Sequence, residues 1–460
     1  MKRTLIRNAI IVSMDPKLGE LTGDVLIENG KIAAIAPGLA AQAASSDAEV
    51  VDATGQIVIP GLINAHMHTW QTGLRGVAAN WTLLEYFKHV HAGLATVFKP
   101  EDIGIANLMG GLNQINCGTT TLVDWCHNNP TPAHTDAGID GLIEAGIRAA
   151  FFHGSPKPDP KPGQKPFWEV PHPRHEVERL LKHRLPASSD KSKEGLVTLG
   201  LAILGPHYST LDVALSDFAL AREFNLIASM HQGGGVAKTP DGWERLEAAG
   251  LLGDNINIVH GNNLSDQQLK KFVDLGMSFS ITPENEMAQG HGHPITGRLR
   301  KLGSGPTLGV DLESVMSGDM FTVARIALAM QRALDNAGYR AAHGTIPDTS
   351  TIPVREALEW VTTRAAKMLR MEDRIGSLTP GKEADLVLID ATQLNMQPVH
   401  DPVAAVVMQT SLANIDSVMI AGHWKKRHGK LLYGNLPAKQ AALKASGQRM
   451  LAQLGLKHAA

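Results

Sequence analysis

Cysteine is nearly absent from this chain. Cys117 and Cys126 are the only two in 460 residues, which excludes a disulfide framework and fits a reducing compartment. Basic charge is not in excess either. Lys and Arg number 43 against 45 Asp and Glu, a formal net charge of −2, so neither nucleic acid nor an anionic membrane is suggested as a partner. No apolar run approaches the ~20 residues that span a bilayer. The opening residues, Met1-Lys2-Arg3-Thr4-Leu5-Ile6, lack the apolar core and small-residue cleavage site of a signal peptide. These absences leave a soluble cytoplasmic protein as the expectation. With 43% hydrophobic and 19% charged residues, the composition is that of a globular chain too long for one ordinary domain.

What the chain does have is histidine, 20 of them, unevenly placed. The apolar run Ile57–Ile63 leads into Asn64-Ala65-His66-Met67-His68. Successive strand residues point to opposite faces, so an i, i+2 pair sets both imidazoles on one side, where a rigid strand end can offer two nitrogens to one metal ion. Two unrelated loop histidines are the competing reading, and the rest of the chain has to decide between them.

Both ends of the chain read as β-structure. Thr4–Val12 and Asp24–Ile35 are strand-like around an Asn29-Gly30 turn, and Ala384–Asp390 and Ser417–His423 repeat the texture near the other end. This predicts a small β-sandwich domain assembled from both chain ends, residues 1–56 with 376–435, and a C-terminal helical tail over 436–460. Between them, residues 57–375, apolar β-branched runs recur at Ile57–Ala65, Thr119–Trp125, Ile147–His153, Leu196–Leu204, Leu226–His231, Ile256–His260, Met277–Thr282 and Pro306–Asp311. Helical segments lie between most of them: Leu211–Phe224 has helical periodicity, and Ser265-Asp266-Gln267-Gln268 has a capping-box pattern. Eight buried strands alternating with helices predict an α/β fold of the TIM-like (β/α)8 barrel type. A doubly wound open sheet is the alternative, against which the absence of Gly-x-Gly-x-x-Gly counts. Residues 155–195 form a Pro- and Lys-rich insertion after the third strand, either a lid over the active face or a solvated excursion.

Catalytic groups of such barrels gather at the C-terminal strand ends. Metal-ligand residue types stand there repeatedly: His66 and His68 on strand 1, His207 after strand 4, His231 on strand 5, His260 on strand 6 and Asp311 on strand 8. Each alone could satisfy a local backbone group. Together they suit a catalytic metal site with a position left for water, whereas a structural zinc site would usually draw on more thiolates than two.

These motifs resemble the amidohydrolase superfamily, in particular the branch of aminoheterocycle deaminases and triazine hydrolases (cytosine deaminase-like). The resemblance rests on Val58–His68, Gly118-Thr119-Thr120-Thr121-Leu122-Val123-Asp124, Val259-His260-Gly261, Gly309-Val310-Asp311 and Ile375–Val387. It implies that His66, His68, His231 and Asp311 ligate one divalent metal, zinc first and iron as the alternative. It also implies that His260 contacts the metal-activated water or the substrate, and that His207 contacts the substrate. Binuclear relatives use a carboxylated lysine on strand 4; Leu196–Pro206 contains no lysine, which favours a single ion.

The pattern breaks in two places. Where deaminase-like relatives carry a proton-shuttling glutamate three residues after the strand 5 histidine, this chain has Gly234. After strand 7 it reads Thr282-Pro283-Glu284-Asn285-Glu286-Met287, then Gly290-His291-Gly292-His293. Glu284 is the candidate to replace the missing acid, and His291 and His293 could line the same pocket. Trp70 and Gln71, directly after the histidine pair, are candidate substrate contacts, Trp70 (or Trp81) by stacking on a planar ring. Asp124 is expected to support its neighbours rather than react.

The expected activity is metal-dependent hydrolysis of a C–N bond, by deamination or ring-amide opening, in a small cyclic or heteroaromatic compound. Asp311 would take the proton of a metal-activated water and His260 would stabilise developing charge. Asp311 or Glu284 would protonate the leaving nitrogen. The competing expectation is a catalytically silent binding or assembly scaffold, against which the intact set of four ligands counts. The expected partner is a small molecule, and the expected assembly a homo-oligomer, dimer or tetramer.

Overall fold

The computed structural model describes residues 3–39, 48–188 and 194–455. Residues 189–193 of the 155–195 insertion and 456–460 of the expected C-terminal tail lie outside this range. The chain opens with five strands, β1 (Arg3–Val12), β2 (Glu20–Glu28), β3 (Lys31–Ala36), β4 (Glu49–Asp52) and β5 (Gln56–Pro60). Eight more follow: β6 (Leu62–Met67), β7 (Thr119–Cys126), β8 (Arg148–Gly154), β9 (Val197–Ala202), β10 (Ala228–Gln232), β11 (Ile256–His260), β12 (Ser278–Ile281) and β13 (Thr307–Leu308). The last four are β14 (Leu386–Asp390), β15 (Ile415–Ile420), β16 (His423–Arg427) and β17 (Lys430–Leu431).

The chain forms two compact units. The first comprises Met1–Ala65, Leu112–Thr121 and Gly318–Gly434. It carries a nine-stranded mixed sheet drawn from both chain ends, ordered β17-β16-β15-β14-β5-β1-β2-β3, with β4 beside β1. Asn29 and Gly30, with φ of 50° and 83°, make the hairpin turn between β2 and β3 that their sequence signals. One face buries Ile6, Ile11, Val25, Val58, Leu386 and Leu388.

The second unit comprises His66–Gly111, Leu122–Ser317 and Asn435–Ala460. The eight strands β6 to β13 lie side by side in sequence order, and an additional parallel bridge between Met67 and Asp311 brings the first and last together. This is the (β/α)8 barrel. Its strands are buried along almost their whole length, which is why they read as continuous apolar runs rather than alternating ones. The capping box forms as its pattern requires: Gln268 N donates to Ser265 Oγ at 3.1 Å, and Ser265 N donates to Gln268 Oε1 at 3.1 Å. Helix Leu436–Gln453 belongs to this unit, where Ser446 Oγ donates to Asp102 Oδ1 at 2.6 Å.

One expectation is corrected. Ile57–Ala65 is not a single strand. Pro60 ends β5, which pairs with β14 of the mixed sheet, and the chain changes sheets at Gly61 before β6 begins. An unbroken apolar run carries no mark of which sheet takes each half.

Candidate active site

The strand ends deliver the ligand group. His66 is the penultimate residue of β6, His68 follows that strand, His231 lies in β10, and Asp311 comes three residues after β13. One potential ligand atom from each of the four lies within 4.8 Å of the others. His66 Nε2 and His68 Nε2 stand 3.3 Å and 3.4 Å from Asp311 Oδ1, and His231 Nε2 is 3.3 Å from His66 Nε2. Imidazole nitrogens crowded around one carboxylate oxygen fit a divalent cation, and three His with one Asp is a donor set of the catalytic type.

Electrostatics agree with that fit. Burial pushes the pKa of His66 down, that of His68 to about 3, and that of His231 well below the usual range, so all three rings are held neutral, the state that metal ligation requires. His68 Nδ1 donates to the Trp125 carbonyl at 2.6 Å, which leaves the lone pair on Nε2, facing Asp311. Burial raises the pKa of Asp311, but the hydrogen bond from His66 and the charges around it outweigh burial and hold the carboxyl well below its ordinary range.

Asp311 Oδ2 turns the other way. It accepts from Asn285 Nδ2 at 2.7 Å and Thr282 Oγ1 at 3.1 Å, and it lies 3.8 Å from His260 Nε2. His260 Nδ1 stands 3.2 Å from Glu286 Oε1. Burial disfavours charge on His260, yet Glu286 and Asp311 overcome it and raise its pKa. Glu286 is itself held by Thr282 N at 2.8 Å and Asn262 Nδ2 at 3.2 Å. His260 and Asp311 have φ of +67° and +70°, a left-handed backbone that costs energy in any residue but glycine and tends to occur at functional sites.

The other candidates take different places. Pro283–Gln289 is a short helix that follows Thr282, and Asn285 and Gln289 line the cavity above the ligand group while Glu284 does not. Helical spacing is the reason: positions i, i+3, i+4 and i+7 share a face, and i+2 lies off it. His291 lines the cavity with its ring 4.4 Å from His260, whereas the His293 side chain is exposed. His207 lies five residues beyond β9 and holds the loop after β10, its Nε2 3.2 Å from the Gly234 carbonyl. Gly234 has φ +78°, so a side chain at this position strains the backbone, and its Cβ would displace Leu83 Cδ2, which lies 2.7 Å away.

Trp70 and Gln71 stand one layer behind the cavity. Trp70 Nε1 donates to His127 Nδ1 at 3.2 Å, and Gln71 Nε2 donates to the Tyr86 hydroxyl at 2.6 Å. His127 and Tyr86 are the residues that line it. Asp124 accepts from Thr69 N at 3.1 Å and from Asn107 Nδ2 at 2.7 Å, fixing the turn that leaves His68.

Sequence reasoning missed Glu286, His91, His127, Tyr208 and Lys157. The spacing of Thr282, Asn285, Glu286 and Gln289 could have found Glu286. Lys157 comes from the insertion after β8, and its ammonium lies 5.4 Å and 5.5 Å from the ring centres of Trp125 and Tyr208. Burial lowers its pKa to about 8. The cavity at the ligand group encloses about 30 Å³, and a neighbouring one beneath the insertion about 320 Å³; Lys157 borders both.

Known proteins resemble this chain over nearly its whole length. A 5-methylthioadenosine/S-adenosylhomocysteine deaminase from Desulforudis audaxviator (strain MP104C) is 27% identical over 449 residues, 94% of this chain and 95% of its own length. An 8-oxoguanine deaminase from Pseudomonas aeruginosa is 27% identical over 474 residues, 98% of this chain and 100% of its own. The crystal structure of an adenosine deaminase from Xanthomonas campestris with bound zinc has the same fold, with a TM-score of 0.81 at 22% identity and 98% of each chain covered. The amidohydrolase family pattern matches residues 57–425, and the chain belongs to the amidohydrolase family.

Proposed function

We propose that this amidohydrolase uses one zinc ion, held by His66, His68, His231 and Asp311, to hydrolyse a C–N bond of a small heteroaromatic compound, with deamination as the reaction. The observation that carries this reading is the two-sided carboxylate of Asp311, with Oδ1 among the histidine nitrogens and Oδ2 towards His260. Both sequence relatives are named as deaminases of amino-bearing purine compounds, which supports the choice of substrate class.

Held by these four residues, a divalent ion would supply Lewis acidity that brings the pKa of water towards ~7. Asp311, kept ionised, accepts the water proton at Oδ2, where Asn285 and Thr282 fix the carboxylate in place. His260, its charged form favoured by Glu286, directs Nε2–H at the negative charge that develops as the ring carbon is attacked. The leaving nitrogen then takes its proton from Asp311 or His260, since Gly234 has none to give. Glu284, outside the cavity lining, has no part in this scheme.

We further propose a cytoplasmic compartment and a homo-oligomeric assembly. Two free buried cysteines support the compartment, and among the described residues no helix is long and apolar enough to cross a membrane. The deciding experiment incubates the zinc-supplemented protein with aminopurines, pterins, aminopyrimidines and triazines, following ammonia release and a substrate mass change of one NH exchanged for O. Elemental analysis showing no stoichiometric metal after supplementation overturns the proposal in favour of a silent scaffold.

A further inference from the structure

Lys157 is a cation in a place where a cation has little to hold it. Its ammonium stands over Trp125 and Tyr208, and the Trp125 ring lies 5.4 Å and 4.3 Å from the rings of His68 and His231. Among the described residues it makes no ion pair with any carboxylate. Its electrostatic neighbours include His68, His91, His127 and His231, each of them disfavoured as a cation by its presence. Two acids of the site are committed elsewhere: Asp311 to the ligand histidines, and Glu286 to His260, Thr282 and Asn262. A divalent ion on one carboxylate adds further positive charge. Aromatic faces repay part of the cost of such a buried ammonium, but an anion is what it lacks.

We propose that Lys157 is the recognition group for a negatively charged substituent on the substrate, a carboxylate or an anion of similar size, carried by the planar ring whose C–N bond is hydrolysed. This rests on the hydrolase reading of the ligand group and narrows its substrate class. Room for the substituent supports it. The cavity at the ligand group, about 30 Å³, opposes a long appendage, whereas the one beneath the insertion, about 320 Å³, is of ligand size and is bordered by both Lys157 and Trp125. A substrate whose reacting ring carbon faces Asp311 and whose charged arm passes Lys157 would use both.

The test employs matched probes on the zinc-loaded full chain: pterin against pterin-6-carboxylate, and cytosine against cytosine-5-carboxylate. Binding is measured by titration calorimetry and turnover by ammonia release. At least one carboxylated member should bind at least about tenfold more tightly than its neutral partner, the size of one charge-assisted contact. That ratio should fall to about one in Lys157→Met and largely survive in Lys157→Arg. Equal binding of both members of each pair by the unaltered protein overturns the proposal, as does a preference that persists in Lys157→Met. Should Lys157→Met fail to fold, the unaltered protein and Lys157→Arg still decide it. The two readings fail separately: a charge preference without ammonia release sinks the hydrolase reading alone, and turnover without a preference sinks the role of Lys157.

Discussion

His260 and Asp311 face each other across 3.8 Å, and what separates their roles is their neighbours. Glu286 holds His260 towards its charged form, while the histidines hold Asp311 towards its own. Glu286→Gln should therefore cut kcat by about 10- to 100-fold, the usual cost of losing a group that orients a site residue. Because Glu286 raises the pKa of His260, its loss should also move the alkaline decline of the rate to lower pH. Glu284→Gln should leave kcat within about threefold, too small a change to count as a lost proton transfer. Equal effects of the two variants in a pH–rate series would contradict this assignment. Asp217 supplies a second prediction. It is 2% exposed, accepts one hydrogen bond from His172 N at 2.7 Å, and burial raises its pKa to about 7. The folded chain thus holds a proton that the unfolded chain releases above ~4, so stability falls as pH rises from ~4 to ~7. Asp217→Asn should remove that slope, a difference on the order of 2–4 kcal/mol across the window in urea unfolding.

At the scale of elements, the segments around the ligand group decide which chemistry it can support. The loop Gly233–Gly235 has left-handed φ at Gly234 and Gly235, and Tyr208 and His207 clamp it. Returning an acid by Gly234→Glu should not raise turnover and should cost ~1–3 kcal/mol of stability, read as a lower urea midpoint; a gain in kcat would show that the loop can yield. These segments also mark what the sequence reveals and what it hides. The grouping of the candidate ligands was legible because strand ends are fixed by the fold, so His66, His68, His231 and Asp311 needed only a barrel to meet. Glu286 was hidden because Thr282–Gln289 reads as a loop until its helical spacing is counted. Trp70 and Gln71 look like pocket residues beside His68, but the 3-10 turn Thr69–Leu74, tied to Asp124, carries them behind it. Lys157 was illegible: nothing local in a Pro- and Lys-rich insertion says which lysine meets Trp125 and Tyr208.

Across the whole molecule, eight apolar runs were enough to read the barrel, and two β-rich ends were enough to read the second sheet. Which half of Ile57–Ala65 joins which sheet depends on pairing with β1 and, more than 300 residues away, β14, and no local pattern records it. Ion binding should stabilise the folded chain as a ligand does, adding ~1.4 kcal/mol for each tenfold rise in free zinc above its dissociation constant. Thermal unfolding in zinc buffers should show a melting temperature rising with free zinc, and His231→Ala should flatten that dependence. A melting temperature indifferent to zinc in the unaltered protein would count against the assigned ligands.

The Met67–Asp311 bridge has one more consequence. His68 N donates to the Asp311 carbonyl at 2.8 Å and Asp311 N donates to the His66 carbonyl at 3.0 Å, so the closing seam of the barrel runs through three of the four ligands. During synthesis the ribosome delivers the histidine pair first and the aspartate some 245 residues later. A chain stalled or cut between them retains a histidine pair with no carboxylate beside it, a weak competitor for a scarce ion. An ion held by all four residues would then mark a chain whose last strand has met its first.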